Sequence, residues 1–453
     1  MSDNHLPTEV ELAYEVMPCN ALRSAQHPGP NPHPCSYFLK WGRYHSYDYE
    51  TAGPPPKPGI VQLTQYVGRG PLVPEILSGC RKAPIMAVGI NPNLPGWWPL
   101  SRNAINPLFD DYKQYAHYFR YRATAKLQIP KPEYGGFGGD SSQDRPLTNS
   151  NPPEPSTWEL NVPVDAAGFR TIPVEPQALK MYQNYESLLK DLAVAMGWNG
   201  DKLSIGEDLS YANMVGCPSA KWITRPDPKD HSVPPMPPMT QSEQQGIVGE
   251  CFHTRKYFLR QLFQSLPNVL MIFSQSTTDA FVAEMQGRFS MGDPKPGDQI
   301  KNLLQKTVRL RYGSRDDGTP LEARVIFSPH ITGNPAEFGP ARQRVLDQLI
   351  EEANLGGIQF NSATGHLSRP AGSCVFCTML DIGPCDYLSE IKPLKTLPTL
   401  AAATPESPTP ELMAEKLEQR RLLNEFLARK KPADEKKGWE LSADPERSEN
   451  EVP

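Results

Sequence analysis

The sequence predicts an α/β fold, namely a three-layer α/β/α sandwich with a central four-stranded, mainly parallel sheet and long irregular insertions. Four short apolar runs alternate along the chain with segments of helical periodicity. Such runs form strands buried on both faces, and their alternation with helices is typical of a parallel sheet covered on both sides. Asn or His lies at or just after the end of three of the runs. Because open α/β sheets bind ligands at the carboxyl ends of their strands, we expect a site along that edge.

Composition limits the classes of function. The chain has 453 residues, 38% of them hydrophobic, which is enough for a large core. It has no apolar run of the roughly 18 residues that span a bilayer and no leader-like start, so we expect a cytoplasmic protein without membrane contact. The net charge of −5 does not itself indicate a nucleic-acid partner, although an acidic tail can mask a local basic groove. The 50 prolines predict long irregular connections.

The first run, IMAVGI at 85–90, is followed at once by Asn91. A polar side chain directly after a buried strand lies at the sheet edge, so we predict Asn91 in the floor of the site. Residues 1–80 have no sustained period and are rich in Pro, His and Tyr. They predict an irregular arm that wraps the main domain, which we place at 81–390.

Arginine and aromatic residues recur together over 97–122. Such a segment can stack on a nucleotide and contact phosphate, and an ordinary amphipathic helix explains it equally well. Residues 125–174 predict a long loop insertion. Apolar residues at helical spacing then predict a helix over 176–196, which Gly197 ends.

The second strand is predicted at 209–215 and carries Asn213 near its end. A single amphipathic helix over 241–266 follows. The other two strands are predicted at 269–274 and 323–329, and His330 follows the last strand. A helix is predicted after each, the second around 342–353. Beyond residue 390 the composition predicts a linker, a charged helix over 411–431 and a disordered acidic tail that ends at 453.

Short motifs in this order resemble the uracil-DNA glycosylase superfamily. GINPN at 89–93 resembles its first motif in the Asn form of the mismatch-specific and single-strand-selective branches. SPHITGNP at 328–335 resembles the second, in which a His leads a loop into the minor groove. YANMVGC, a Cys on the next helix and PNVLMIFS are similar to the middle of the iron–sulfur branch. That branch has its first cysteine pair before the first strand, whereas here the only C-x2-C follows the last motif, and Ile331 replaces the usual Pro.

The resemblance implies a monofunctional DNA glycosylase of base-excision repair or antiviral defence, a monomer with DNA as its partner. It would flip a pyrimidine, either uracil or a bulky modified base such as those of phage DNA, and hydrolyse the N-glycosidic bond. The alternative is a non-catalytic DNA-binding or partner-recruiting protein that retains the fold and docks through the helix at 411–431. Base release from modified DNA distinguishes the two.

The catalytic residues implied are Asn91, which would orient the attacking water, and His330, which would donate to a base carbonyl oxygen. Asn213 has a donor and an acceptor that could read a pyrimidine edge. Ile331, Phe338 or Trp97 could insert between bases, although ordinary packing explains them equally well. The residues expected to bind substrate are Gly89, Ile90, Pro92, Asn213, Phe109, Thr332 and Asn334.

The eight cysteines suggest a metal site. In a reducing compartment C-x2-C indicates metal ligands rather than a disulfide. We expect a 4Fe-4S cluster bound by Cys217, Cys251 and two of the three cysteines in CVFCTMLDIGPC. The alternative is a structural zinc held by those three and His366. The three are Cys374, Cys377 and Cys385.

Overall fold

The chain forms a mixed α/β fold around a six-stranded sheet. The computed structural model describes residues 8–16, 19, 21, 33–38, 74–92, 126–130, 169–173, 180–217, 222, 239–332, 335–368 and 410–429.

The strands of the described residues fall into the main sheet and two small two-stranded sheets. They are β1 Ile85–Gly89, β2 Lys126–Pro130, β3 Phe169–Pro173, β4 Leu209–Asn213, β5 Val269–Phe273, β6 Phe289–Met291, β7 Val308–Ser314, β8 Pro320–Ser328, β9 Phe360–Asn361 and β10 His366–Leu367.

The helices lie before, between and after these strands. They are α1 Thr8–Val16, α2 Lys180–Met196, α3 Gln241–Gly249, α4 Tyr257–Ser265, α5 Gln275–Met285, α6 Ile300–Leu303, α7 Pro335–Asn354 and α8 Pro410–Ala428. A π-helical turn, Glu250–Thr254, joins α3 to α4. No helix of the described residues is long and apolar enough to cross a bilayer.

The strand order of the main sheet is β4-β1-β5-β8-β7-β6. The four predicted strands are neighbours and run parallel, which confirms a mainly parallel sheet. The predicted strand number was wrong, because β7 and β6 extend the sheet antiparallel at one edge. In β7, VRLRYGS, arginines on one face alternate with buried apolar residues on the other. A search for uninterrupted apolar runs misses a strand of this period.

Alternate residues of each central strand enter two different apolar clusters. In β1, Met86 and Val88 pack with residues of α1, α4, α5 and α8. Ile85 and Ala87 pack with residues of α2 and α7. The sheet is therefore buried on both faces, as the continuous apolar character of its strands requires.

Two predicted boundaries were wrong. The helix predicted over 241–266 is interrupted by the π-helical turn and by Lys256, whose φ of 58° is left-handed. Apolar spacing continues across the break, so periodicity alone does not reveal it. Helix α7 begins at Pro335 rather than at 342. Proline is tolerated in the first turn of a helix, where its missing N–H has no partner to lose. The insertion predicted over 125–174 includes an antiparallel pair, β2 with β3.

The two terminal helices pack on the same face of the domain. Helix α1 contacts α4, and α8 contacts both α4 and β7. Phe426 of α8 is fully buried, with its ring centroid 5.1 Å from that of Phe263. Arg81 is buried between the helices and forms ion pairs with Glu9 and Glu415. The charged helix predicted over 411–431 thus buries Leu422 and Phe426 against the domain, while Leu417 stays exposed.

Candidate active site

The ends of the parallel strands bring the predicted polar residues to one edge of the sheet. Gly89 and Asn213 are paired in register, and Asn91 lies two residues past the end of β1. His330 lies two residues past the end of β8. One strand, β5, separates β1 from β8, so their ends are about 10 Å apart at the usual interstrand spacing.

The Asn91 amide is held by the backbone that follows β4. Asn91 is only 8% exposed, and its Nδ2 donates to the carbonyl oxygen of Cys217 at 3.4 Å. The backbone N–H groups of Met214 and Val215 donate to the carbonyls of Gly89 and Ile90, at 3.0 and 2.9 Å. The segments after β1 and β4 therefore run side by side, which holds the amide in one orientation. Pro92 is buried next to it.

Gly89 leaves room for two polar side chains of β4. The Tyr211 hydroxyl donates to Asn213 Oδ1 at 3.0 Å. A Cβ atom on Gly89 would overlap Tyr211 Oη and lie 2.7 Å from Asn213 Oδ1. Both approaches are closer than any real contact of a Cβ atom, so this position accepts glycine alone without a rearrangement. The GINPN motif thus begins with glycine for a steric reason at the site.

His330 lies exposed at the rim with one ring nitrogen engaged. Its Nδ1 accepts from the Thr332 N–H at 3.3 Å and lies 2.9 Å from Thr332 Oγ1. Because a backbone N–H only donates, Nδ1 is an acceptor, and the neutral ring carries its proton on Nε2. Loss of solvation near the protein lowers the pKa of His330, which also favours the neutral ring at pH 7. His330 therefore presents an N–H donor at the sheet edge.

The side chains that follow His330 belong to the core. Ile331 and Phe338 are 2% and 9% exposed and pack in the cluster that contains Ile85 and Ala87. Asn184 Nδ2 donates to the Ile331 carbonyl at 2.8 Å, which fixes the loop. Ordinary packing therefore accounts for Ile331 and Phe338, while Trp97 lies outside the described residues.

One residue at this edge was missed by sequence reasoning. Ser274 follows β5, between the ends of β1 and β8, and has a φ of 82° that is rare for any residue except glycine. Its Oγ accepts from the Thr277 N–H and caps α5. Residues with strained backbone conformations often cluster at functional sites. The signal was present in the sequence, because this apolar run also ends in a polar residue.

Several predicted residues cannot be assigned a place. Phe109 and Asn334 lie outside the described part of the chain, as do Cys374, Cys377 and Cys385. Their roles stay predictions. Within the described part, Ile90 is half-buried beside Asn91, and Thr332 contacts His330.

A second cluster of chemically active side chains lies under this edge. Four cysteines, Cys19, Cys35, Cys217 and Cys251, are 3 to 6% exposed and belong to one apolar cluster; we call them the four-cysteine group. Burial, followed by repulsion from the neighbouring thiolates, raises the pKa of Cys35 and Cys217 well above the usual range. The same causes raise the pKa of Cys251 to about 12. These interactions connect every pair among the four, and none of them is in a disulfide.

Polar groups surround the four-cysteine group. The Tyr257 hydroxyl donates to Cys19 Sγ at 3.4 Å. The Cys35 N–H donates to His33 Nδ1 at 3.1 Å. Burial alone would lower the pKa of Arg255, but the neighbouring Cys19 and an ion pair to Glu250 raise it. Arg255 and the Tyr257 hydroxyl are therefore polar groups next to Cys19.

The four thiols do not have the geometry of a single-ion site. No group of three or more His, Cys, Asp or Glu side chains in the described segments is arranged to hold one metal ion. A zinc ion needs four ligands at about 2.0–2.3 Å from a common centre, whereas an iron–sulfur cluster distributes its thiolates over several irons. These four thiols alone therefore do not form a zinc site in the described segments.

His366, the histidine of the zinc alternative, lies at the other end of β4. Its Nδ1 is 3.0 Å from the Asp208 carboxylate, which also accepts from the Leu367 N–H at 2.7 Å. Asp208 is fully buried directly before β4. The pair fixes β10 to the loop that enters β4, so a structural role explains this histidine.

Comparison of the chain with protein-family models and with curated proteins finds no match.

Proposed function

We propose that the protein is a monofunctional DNA glycosylase that excises a modified or damaged pyrimidine. The observation that carries this proposal is the convergence of Asn91, Asn213 and His330 at the ends of parallel strands, with a neutral His330 that presents an N–H donor. The partner is DNA, and we expect the enzyme to act as a monomer.

The chemistry follows from the polarity of these groups. A base inside a duplex must be extruded before its glycosidic bond can be attacked. As that bond breaks, the sugar gains positive character and the base becomes an anion, so preoriented donors that face the base lower the barrier. His330 Nε2–H would donate to a base carbonyl oxygen. Because Nδ1 already accepts from Thr332, the ring is held in the tautomer that this role requires.

Asn91 would orient the water that attacks the sugar. An amide is neutral and cannot act as a strong general base, so its contribution is positional. Its Nδ2 donates to Cys217 O, which fixes the plane of the amide and therefore the direction of Oδ1. An Oδ1 in a fixed direction can accept a hydrogen bond from the water.

We also propose the finer architecture, a three-layer α/β/α sandwich. The two apolar clusters support it, because helices contribute to both. On this proposal helix α1 of the arm 1–80 and helix α8 of the segment 391–453 belong to one body with the domain at 81–390. Helices α1 and α8 support this view through their joint ion pairs to Arg81.

For the cofactor, we propose a 4Fe-4S cluster on the four-cysteine group rather than on the cysteines at 374–385. Cys217 and Cys251, both expected from the sequence, are completed by Cys19 and Cys35, which precede the first strand. The cluster would supply structural cross-linking of these four segments. A brown protein with bound iron supports this assignment, whereas a colourless protein with one zinc per chain contradicts it.

The test of the proposed function is base release. Purified protein is incubated with uracil-containing DNA and with hypermodified phage DNA, and abasic sites are counted. Asn91→Ala and His330→Ala should abolish most release, whereas Asn199→Ala, at an exposed asparagine beyond α2, should not change it.

Release that survives both site substitutions would refute the site. No release from any substrate would favour the non-catalytic alternative, a DNA-binding protein that retains the fold. The helix suggested for its docking role, α8, buries Leu422 and Phe426 in the core. Such a protein would therefore have to recruit its partner through another surface.

A further inference from the structure

Tyr211 is the polar neighbour of Asn213, the residue proposed to read the base. Contacts of its ring and its backbone fix its position. It is 9% exposed, and its ring centroid lies 6.4 Å from those of both Tyr182 and Tyr185. Its backbone exchanges two hydrogen bonds with Ser78, at 2.8 and 2.9 Å, which fixes the edge of β4 at this residue. Ring and backbone together restrict where the hydroxyl can lie.

The hydroxyl of Tyr211 lies across the neighbouring strand. Tyr211 and Asn213 are two residues apart on β4, so their side chains share one face of the sheet. Gly89 of β1 leaves the space that the phenol oxygen occupies, because a Cβ atom at this position would overlap that oxygen. The contact of 3.0 Å with Asn213 therefore depends on three residues of two strands.

The direction of this hydrogen bond determines what Asn213 offers to a ligand. An amide oxygen can only accept, so the phenol O–H donates to Oδ1. The amide is then fixed with Oδ1 toward Tyr211 and Nδ2 on the opposite side. Asn213 consequently presents N–H donors, which pair with a carbonyl oxygen and oppose an amino group.

We propose that Tyr211 is a positioning residue that acts through Asn213 and makes the site prefer a carbonyl over an amino group on the pyrimidine edge. This inference rests on the proposed function, since it concerns the base that the same site would bind. A buried polar group left facing another donor is costly, and that cost discriminates between bases.

The test compares Tyr211→Phe with Tyr185→Phe. Tyr185 is a matched control, because its buried ring contacts Tyr211 and Phe273 in the same aromatic cluster. For each protein, kcat/KM for base release is measured on two DNAs that differ only in carrying uracil or cytosine at one position. If only a hypermodified base is released, its carbonyl and amino forms are compared instead. Thermal unfolding of both variants is recorded alongside.

Tyr211→Phe should reduce the preference for the carbonyl base about tenfold or more, since the amide loses the hydrogen bond that selects its orientation. Tyr185→Phe should leave the preference unchanged at a similar cost in stability. A purely structural tyrosine would lower release of both bases in parallel. An active wild type whose preference survives Tyr211→Phe overturns this inference alone. A wild type that releases no base from any DNA overturns the proposed function and this inference with it.

Discussion

The sheet-edge site and the four-cysteine group are neighbours built in opposite ways. Asn91, Asn213 and His330 all come from the ends of strands in one sheet, and each lies within two residues of its strand. The four cysteines come from four segments, two of which precede β1. A hydrogen bond from Asn91 Nδ2 to the Cys217 carbonyl joins the two regions.

The two regions differ in how much of the fold must form before their residues meet. Parallel pairing aligns strand ends automatically, so a polar residue after a strand reaches the edge without any remote contact. The cysteines meet only when the amino-terminal residues 19 and 33–38 pack against the turn after β4 and the π-helical segment. Substitutions in the four-cysteine group should therefore affect folding and stability. Substitutions at the sheet edge should affect base release.

The largest effect is expected from the four-cysteine group. Cys251→Ser should abolish bound iron, because a cluster with four thiolate ligands loses one of them. The protein should also become unstable, with a hydroxyl left in an apolar cluster. Iron analysis and the visible absorption of the purified variant measure the result.

Two controls locate the ligands. Cys80→Ser places the same substitution at a buried cysteine outside the four-cysteine group and should keep full iron content. Cys377→Ser tests the cysteines of the C-x2-C motif. If Cys19→Ser keeps its iron and Cys377→Ser loses it, the ligands are the cysteines of the carboxyl segment at 374–385 and not the four-cysteine group.

The next largest effect concerns the chemistry at the sheet edge. On the proposed function, His330→Ala would remove the donor that faces the base anion, and we expect base release to fall by about 10²–10³-fold, as for the loss of one oxyanion donor. Iron content should not change, because β1 and β5 separate β8, which precedes His330, from β4, which precedes Cys217. Single-turnover release under saturating protein measures the step directly. Parallel loss of iron and activity would mean that the two regions are not separable.

A smaller effect is expected at Gly89. In Gly89→Ala the added Cβ collides with Tyr211 Oη and Asn213 Oδ1, so one of them must move. We expect a loss of about 1–3 kcal/mol of unfolding free energy, typical of overpacking, and weaker base release. Denaturant unfolding and the release assay measure both.

Gly249→Ala is the matched control for this change. Gly249 has helical backbone, and a Cβ there would meet no atom within 4 Å. That variant should gain about 0.4–1 kcal/mol of stability. A harmless Gly89→Ala would show that Tyr211 and Asn213 rearrange readily.

The smallest effect is a dependence on pH. Loss of solvation lowers the pKa of both His330 at the sheet edge and His33 beside Cys35. In the unfolded chain a histidine takes up its proton near pH 6.5, whereas in the folded chain these two do so only at lower pH. Between those values the unfolded state binds more protons, so stability should fall as the pH drops below about 6.5.

The two histidines can be separated. Protonation of His330 would remove the acceptor that Thr332 N–H uses, so base release should decline over the same acidic range. His33→Gln should reduce the dependence of thermal unfolding on pH and leave the pH profile of base release in place. A flat unfolding profile in the wild type would contradict the lowered pKa values.

Much of the sheet edge could be predicted from local pattern. An uninterrupted apolar run has few alternatives to a strand buried on both faces, and the residue that ends it is placed by that fact. Asn91, Asn213 and His330 were found in this way, and Ser274 would have been found by the same rule. Strand β7 and the break before α4 were missed, because an alternating strand and a helical interruption do not change the average apolar character.

The proposed cysteine ligands could not be predicted in this way. Sequence spacing favours CVFCTMLDIGPC, because nearby cysteines can share a metal with little chain entropy to lose. Cys19 and Cys35 are isolated in the sequence and carry no local signal. Long-range packing of the arm places them beside Cys217 and Cys251. Periodicity thus specified the strands and the polar residues at their ends, whereas the convergence of distant thiols, and the Tyr211 contact that orients Asn213, arise from tertiary packing between segments that share no local pattern.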